Sequence, residues 1–284
     1  MVKRRYIQLL SALLYNANIA GFANGTIFQG DVKGVCVPGL NCYSCPGAIA
    51  SCPLGSLQAA LGEIKYKLPL YTVGILLLFG ILLGRGVCAF LCPFGLIQEL
   101  LHKIPTPKLV KSKWTKRASL VKYGILITFV IFLPLFFLAR DGVSIPAFCK
   151  FICPAGTLEG GIPLVAANES LQAIVGALFD WKIFVLVAVI LVSVFAYRAF
   201  CRFLCPLGAI YSLFNRVALF GIKVDEHNCV NCGACVSSCK LDTRKINDRE
   251  CIRCGECRSM CKHNAIYFTK KKDNKQCEEE KQSS

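Results

Sequence analysis

Charged side chains are scarce in this sequence. Only 18% of its 284 residues are Asp, Glu, Lys or Arg, whereas 55% are hydrophobic and the mean hydropathy is +0.52. A soluble globular domain carries about 25% charged residues, so this composition excludes an ordinary water-soluble protein. The lipid bilayer is the solvent that such a chain requires.

Histidine is also rare. The three histidines are His102, His227 and His263. None lies within a long apolar run, and no Cys-x-x-Cys-His sequence occurs. A haem held by two histidines inside a membrane and a covalently attached c-type haem are therefore both excluded. We expect no haem, and we expect the histidines on the solvated surface.

Four apolar runs are candidates for membrane-spanning helices. Three hold about 20 residues each, which is enough to cross a hydrocarbon core at about 1.5 Å per residue: 66–84, 120–139 and 174–197. The fourth, residues 6–28, starts after three basic residues like a signal peptide, but we favour a retained helix. Its Asn16, Asn18 and Asn24 either line a quinone pocket or, more commonly for Asn, bond a neighbouring helix.

Charge predicts the orientation of these spans. Basic residues precede the first run and crowd the connection at residues 103–117, which places both segments in the cytoplasm. The connections at 29–67 and 140–173, which include Glu63, mix a few charges of both signs and are expected outside. Four spans that start inside also end inside, so both termini are predicted to be cytoplasmic.

The formal net charge of +16 does not require a nucleic-acid partner. Most of the excess lies in connections where membrane topology alone demands Lys and Arg. Membrane lipid is the expected anionic neighbour, and we infer no nucleic-acid binding.

Nineteen cysteines are the most informative residues, and eight of them form two closely spaced runs near the end of the chain. The runs are Cys229-x2-Cys232-x2-Cys235-x3-Cys239 and Cys251-x2-Cys254-x2-Cys257-x3-Cys261. In two-cluster ferredoxins three thiolates of a run hold one cluster and the fourth crosses to the other. The predicted ligand sets are Cys229, Cys232, Cys235 and Cys261 for one 4Fe-4S cluster, and Cys251, Cys254, Cys257 and Cys239 for the other. Zinc sites and disulfides are the disfavoured alternatives.

This region resembles bacterial-type ferredoxins. Two features depart from that pattern. Lys240 and Lys262 replace the proline that usually follows the fourth cysteine, and only eleven residues separate Cys239 from Cys251. Neither change removes a ligand.

A cysteine–proline motif recurs four times in the apolar part of the chain. The copies are Cys88-Ala-Phe-Leu-Cys92-Pro-Phe-Gly, Cys201-Arg-Phe-Leu-Cys205-Pro-Leu-Gly, Cys149-Lys-Phe-Ile-Cys153-Pro-Ala-Gly and Cys45-x6-Cys52-Pro-Leu-Gly. Proline at the first position of a helix loses no hydrogen bond, so each motif can end a span and start a surface helix. The recurrence predicts two parallel repeats, at about residues 6–105 and 120–218.

Equivalent motifs of the two repeats are expected to face each other. On the inner face this brings together the four thiols that one 4Fe-4S cluster needs, those of Cys88, Cys92, Cys201 and Cys205.

The outer face offers six thiols where one cluster needs four. They are Cys36, Cys42, Cys45, Cys52, Cys149 and Cys153. We favour a cluster on Cys45, Cys52, Cys149 and Cys153. The two remaining cysteines, Cys36 and Cys42, would then form a disulfide. Cys42 is the alternative to Cys45 as a cluster ligand. Disulfides throughout are the competing interpretation, because the exterior is oxidising.

Over nearly its whole length the chain resembles the NapH family of membrane ferredoxins, whose relatives include the membrane part of NosR. The resemblance rests on four spans, on the paired motifs from Cys88 to Pro93 and from Cys201 to Pro206, and on the two-cluster end. It implies a protein of the bacterial inner membrane that passes electrons between quinol, or a ferredoxin, and a reductase on the outer face. It therefore suggests the electron-transfer subunit of a quinol dehydrogenase.

The predicted fold is a mainly α membrane protein with a small α+β ferredoxin-like domain. The expected units are a membrane domain at residues 1–220, a cytoplasmic two-cluster domain at 221–269 and a disordered charged tail at 270–284. Two clusters are expected in the ferredoxin domain, a third on the inner face and a fourth on the outer face. Two other functions stay open: assembly of a partner metalloenzyme, as FixG-like proteins suggest, and redox regulation of that partner.

Overall fold

The computed structural model describes residues 2–62, 70–109 and 111–270. Glu63, the start of the second apolar run and the charged tail from residue 271 onward, with Cys277, lie outside the described residues.

The N-terminal apolar run forms two helices and not one. They are α1 (Val2–Tyr15) and α2 (Ala20–Asn24). Asn16 Nδ2 donates to Asn41 Oδ1 at 2.9 Å, and Asn18 donates to the backbone of the same outer loop. The expectation of one continuous helix over residues 6–28 is therefore wrong. The first helix ends at Tyr15, and Asn16 and Asn18 bond the outer loop instead.

The next segment joins a largely irregular loop to a series of short helices. Its elements are a 3-10 turn (Asp31–Gly34), α3 (Pro53–Gly62), α4 (Leu70–Leu83), α5 (Gly86–Phe90) and α6 (Pro93–Leu101). Helix α6 begins with Pro93 directly after Cys92, as the motif predicts, because proline has no amide hydrogen to lose there. Its polar residues Gln98 and Glu99 are buried, so they face the protein interior and not the membrane surface.

A long helical segment runs through Lys113–Asp141 and contains a π-helical stretch. Its parts are α7 (Lys113–Ala118), α8 (Val121–Ile125), the π-helix (Leu126–Phe132) and α9 (Leu133–Asp141). Pro134 lies two residues after the stretch and cannot donate a backbone hydrogen bond, which accounts for the local change in helical pitch.

The second half continues with another outer segment and a second long helix. Its elements are α10 (Ala147–Phe151), a π-helix (Gly156–Gly161), α11 (Ile162–Ala167), α12 (Glu169–Ile174), α13 (Ala177–Phe195), α14 (Ala199–Phe203) and α15 (Pro206–Phe214). Helix α15 starts at the proline after Cys205, like α6 after Cys92.

Among the described residues, two helices are long and apolar enough to cross a membrane: Lys113–Asp141 and Ala177–Phe195. Only 22% and 17% of their most apolar windows are buried inside the protein. A core helix of a soluble protein would be mostly buried, so these apolar surfaces match lipid. Helix α4 is shorter, with 14 residues. The sequence predicts four spans, and in the described part of the chain two helices are long and apolar enough to be spans.

The C-terminal domain is a small α+β unit. Strands β1 (Phe220–Val224) and β2 (Ile266–Lys270) pair antiparallel, and the short helices α16 (Ala234–Ser237) and α17 (Glu256–Met260) lie between them in sequence. Both helices follow a glycine with positive φ, 70° at Gly233 and 80° at Gly255. A Cβ at Gly255 would lie 2.6 Å from Phe268, so only glycine fits this turn.

One apolar core holds cysteines of both the inner and the outer motifs. It includes Cys52, Cys88, Cys92, Cys153 and Cys205. A second, smaller core of Ala89, Tyr197, Leu241 and Ile252 joins the membrane part to the ferredoxin domain.

Candidate iron–sulfur sites

The thiols of the C-terminal domain surround two cavities. Cys229, Cys232, Cys235 and Cys261 line one of about 680 Å³, which we call the distal site. Cys239, Cys251, Cys254 and Cys257 line the other, the proximal site, and Cys235 borders both. The structure thus brings together the two sets of cysteines predicted from the crossed spacing.

The proximal site lies against the membrane domain. Cys239 and Cys254 pack on the small core that contains Ala89 and Tyr197. Ala89 directly follows Cys88, a predicted ligand of the inner face. The proximal site and the inner motif are therefore in direct packing contact.

The inner site consists of Cys88, Cys92, Cys201 and Cys205, all of them buried. Burial and the neighbouring thiols of Cys201 and Cys88 raise the pKa of Cys92 well above its ordinary value, and the same causes act on Cys205. The buried thiols of Cys92 and Cys205 resist ionisation in an apolar core, and iron would replace their protons. The donor set fits a 4Fe-4S cluster for that reason.

Two arginines connect the two inner motifs reciprocally. Arg85 Nη2 donates to the backbone carbonyl of Cys201 at 3.2 Å, and Arg198 Nη1 donates to that of Cys88. Each arginine stands three residues before the first cysteine of its own motif and reaches the first cysteine of the other. These two hydrogen bonds hold the two inner motifs opposite each other.

Buried ion pairs surround the inner site. They are Glu250 with Arg85 and Lys122, Glu99 with Arg4 and Arg198, and Asp242 with Arg202. Although burial acts to raise it, the cations hold the pKa of Glu99 down at about 2. Arg85 and Arg198 bond to the backbone of the inner motifs, and an oxidised 4Fe-4S cluster with four thiolates carries about −2, so these cations would offset part of the cluster's charge. The charge of the surroundings fits that group.

The outer thiols line a further cavity of about 270 Å³. Its cysteines are Cys42, Cys52, Cys149 and Cys153. Burial raises the pKa of Cys42 and of Cys149 to about 12, so these thiols stay protonated at neutral pH unless a metal displaces the protons. Cys45 is not among the lining residues, since its thiol faces Asn16 Oδ1 at 3.6 Å. The geometry matches the alternative set with Cys42 in place of Cys45.

No disulfide joins any of the eighteen cysteines in the described residues. The Cys36 thiol donates to Ser56 Oγ at 3.3 Å, whereas Cys42 lies in the outer cavity and its backbone N–H donates to Glu159 Oε2 at 2.8 Å. The disulfide expected between Cys36 and Cys42 is therefore wrong, because the two thiols face different neighbours.

The inner and outer sites are separated by very little protein. The backbone of Leu40 acts to lower the pKa of the inner-site thiol of Cys92, and that of Asn41 acts to lower the pKa of the outer-site thiol of Cys52. Leu40, Cys52 and Cys92 also pack in one apolar core, so a short stretch of backbone joins the two sites. The loop at residues 35–52 folds inward and brings Cys52 into the same core as Cys88 and Cys92.

Glycines close the cysteine–proline motifs for a geometric reason. The Gly156 amide donates to Cys153 Sγ and the Gly208 amide to Cys205 Sγ, both at 3.4 Å. At Gly208 a Cβ would lie 3.0 Å from the Cys201 carbonyl. The motif thus aims helix-terminal amides at a thiolate, which stabilises its negative charge.

Sequence reasoning missed two glutamines that contact these sites. Gln98 Nε2 lies 3.2 Å from Cys201 Sγ, and Gln58 Nε2 lies 3.3 Å from Cys149 Sγ. Both stand six residues after the proline-linked cysteine of a motif, Cys92 and Cys52. Comparing the repeats beyond the glycine would have revealed the shared position.

Family models recognise three segments of the chain. A model described as a 4Fe-4S binding domain matches residues 68–117 and 176–224, which contain the two inner motifs. A second model, also described as a 4Fe-4S binding domain, matches residues 244–267, which contain Cys251, Cys254, Cys257 and Cys261.

Several curated proteins are similar in sequence. An uncharacterized protein of Methanocaldococcus jannaschii, MJ0750, is 30% identical over 188 residues, which cover 66% of this chain and 70% of that protein. Regulatory protein NosR of Stutzerimonas stutzeri is 28% identical over 57% of this chain, and putative electron transport protein YccM of Escherichia coli is 25% identical over 64%. The chain spans only 21% of NosR and 51% of YccM.

No solved structure matches the chain. The iron–sulfur family models cover the two inner motifs and the second cysteine run of the ferredoxin domain. This chain belongs to the NapH/NosR-like family of ferredoxin-type membrane proteins, which are iron–sulfur electron-transfer proteins.

Proposed function

We propose that the protein is a membrane-bound electron conduit with four 4Fe-4S clusters. The distal, proximal and inner sites use the cysteines predicted for them. For the outer site we propose Cys42, Cys52, Cys149 and Cys153, because these thiols line one cavity. When bound, the clusters supply reversible one-electron oxidation and reduction.

One observation carries this proposal, namely that the four sites form an unbroken series. The distal and proximal sites share the border residue Cys235. The proximal site packs on Ala89, next to Cys88 of the inner site. The inner and outer sites are bridged by the consecutive residues Leu40 and Asn41. A protein that only bound clusters would not need this alignment, whereas electron transfer depends on short separations.

The protein contributes charge balance and exclusion of water. Arg85 and Arg198 place positive charge beside the inner thiols while bonding to carboxylates that keep them in position. The buried setting of the inner and outer thiols lowers the local dielectric, so each nearby charge and hydrogen bond has a larger effect on reduction potential than it would in water.

For the membrane arrangement we propose that four segments cross the bilayer: the two long helices, residues 66–84, and the N-terminal segment, as a broken span made of α1 and α2. The ferredoxin domain and both termini then lie on the cytoplasmic side of a bacterial inner membrane. A ferredoxin or the quinone pool is the proposed donor, and a redox protein on the outer face the proposed acceptor. The direct support is the exposed apolar surface of the two long helices.

The test is electron transfer across a vesicle wall. Liposomes containing the purified protein and trapped ferricyanide receive dithionite outside under anaerobic conditions, and loss of ferricyanide colour is followed. We expect a rate well above that of protein-free liposomes, lost in Cys88→Ala and in Cys149→Ala. Cys36→Ala, whose thiol lines none of the four sites, serves as the control and should keep the rate. Fully loaded protein that adds nothing to the background would overturn the proposal.

A further inference from the structure

Two buried glutamines occupy matching positions at the inner and outer sites. Gln98 donates from Nε2 to Cys201 Sγ at 3.2 Å and to the Phe94 carbonyl at 3.3 Å. Gln58 donates from Nε2 to Cys149 Sγ at 3.3 Å and to the Leu54 carbonyl at 3.3 Å. Both side chains are at most 1% exposed.

The orientation of each amide is fixed by a backbone donor. Gln98 Oε1 accepts from the Phe200 amide at 2.9 Å, and Gln58 Oε1 accepts from the Phe148 amide at 3.0 Å. Since only the oxygen can accept, the NH2 group must face the sulfur in both places.

The two glutamines belong to one half of the chain and the sulfurs to the other. Gln58 and Gln98 follow the motifs of Cys52 and Cys92, whereas the motifs of Cys153 and Cys205 carry Glu159 and Tyr211 at that position. Neither of these two side chains donates to a thiol sulfur in the described structure; Glu159 accepts from the Cys42 amide, and Tyr211 donates to the Pro38 carbonyl. Each site therefore has one side-chain amide donor, placed on one chosen cysteine.

We propose that Gln58 and Gln98 are positioning residues that raise the reduction potentials of the outer and inner clusters. This rests on the proposed function, because it requires clusters at both sites. A cluster becomes more negative on reduction, so an N–H donor to a ligating sulfur stabilises the reduced form more than the oxidised form. In a water-excluded core that preference is strong, since no solvent competes for the sulfur.

The experiment is an EPR-monitored redox titration of the complete protein. Gln98→Met and Gln58→Met remove the donor with little change of volume. Gln172→Met is the control, because the exposed Gln172 side chain bonds only backbone carbonyls. We expect Gln98→Met to make the inner midpoint potential more negative, by about tenfold in the reduction equilibrium or 59 mV for one electron. Gln58→Met should do the same to the outer site alone.

A second substitution separates tuning from folding. Gln98→Glu and Gln58→Glu keep the oxygen that accepts from the backbone and replace the NH2 group by a second carboxylate oxygen. The lost donor and the added negative charge both favour the oxidised cluster, so a shift in the same direction and larger than in the Met variant is expected. Iron analysis on the same samples tests the underlying proposal, since a parent protein without iron at these sites would contradict the conduit itself. Full iron with unmoved midpoints would overturn the role of the glutamines. Equal shifts at all four sites would also overturn that role. Loss of a site's iron in both its Met and its Glu variant would overturn it too, because the glutamine would then be only structural.

Discussion

Lys122 Nζ lies 2.6 and 2.7 Å from the two carboxylate oxygens of Glu250. Lys122 is in the long apolar helix and is fully buried, whereas Glu250 directly precedes the proximal-site residue Cys251. Arg85, beside the inner motif, bonds the same carboxylate at 2.6 Å. The ferredoxin domain is therefore fixed to the membrane domain by a buried charge cluster, and the proximal and inner sites keep a constant separation.

Glu250→Gln should break this contact between the ferredoxin domain and the membrane domain. It leaves Arg85 and Lys122 buried without a compensating charge, and breaking a buried pair costs about 3–5 kcal/mol. We expect a lower Tm and faster proteolytic release of the ferredoxin domain. The exposed pair of Arg140 and Asp141 gives a control, because Asp141→Asn should change stability by less than about 1 kcal/mol. An unchanged Tm in Glu250→Gln would show that the domain is held by other contacts.

Gly95→Ala should disturb the inner site. The added Cβ would lie 3.1 Å from Arg198 Nη1 and 3.1 Å from the Cys88 carbonyl, so one of them must move. We expect about 1–3 kcal/mol of destabilisation, typical of overpacking, and an altered inner-cluster EPR signal. Gly124→Ala meets nothing within 4 Å and should be neutral or stabilising. Equal behaviour of the two variants would contradict the close packing described at Gly95.

Tyr211→Phe tests the link between the inner and outer sites. Tyr211 is buried, and its hydroxyl donates to the Pro38 carbonyl at 2.9 Å, at the start of residues 38–41, which join the inner and outer sites and which we call the bridging segment. Its loss leaves that carbonyl without this donor, at a cost of about 1–3 kcal/mol. We expect severalfold slower reduction of the outer cluster in freeze-quenched EPR samples, with the inner cluster unaffected.

Tyr123→Phe is the matched control for this measurement. Tyr123 bonds the hydroxyl of Ser212, the neighbour of Tyr211, at 2.5 Å but does not contact the bridging segment. It should leave the rate of outer-cluster reduction unchanged. If both variants slow the outer cluster equally, the bridging segment has no special part in the transfer.

The sequence was sufficient to group the ferredoxin cysteines, because the short spacing restricts which thiols can share a cavity. It also predicted the helix starts at Pro93 and Pro206, where proline loses no hydrogen bond. Local chemistry determines both features, so a single sequence reveals them.

Other features depend on contacts between distant segments. The choice between Cys42 and Cys45 depends on how the outer loop folds inward, and Glu159, more than a hundred residues away, bonds the backbone of Cys42. The interruption of the first apolar run depends on the partner that Asn16 finds in Asn41. No periodicity or spacing contains that information.

The most direct test of the account is iron and acid-labile sulfide per chain in anaerobically purified protein. We predict about sixteen irons, falling to about twelve in Cys88→Ala and in Cys42→Ala but unchanged in Cys45→Ala and Cys36→Ala. About twelve irons in the parent protein, unaffected by Cys42→Ala, would contradict the outer cluster and with it the continuous series of four sites.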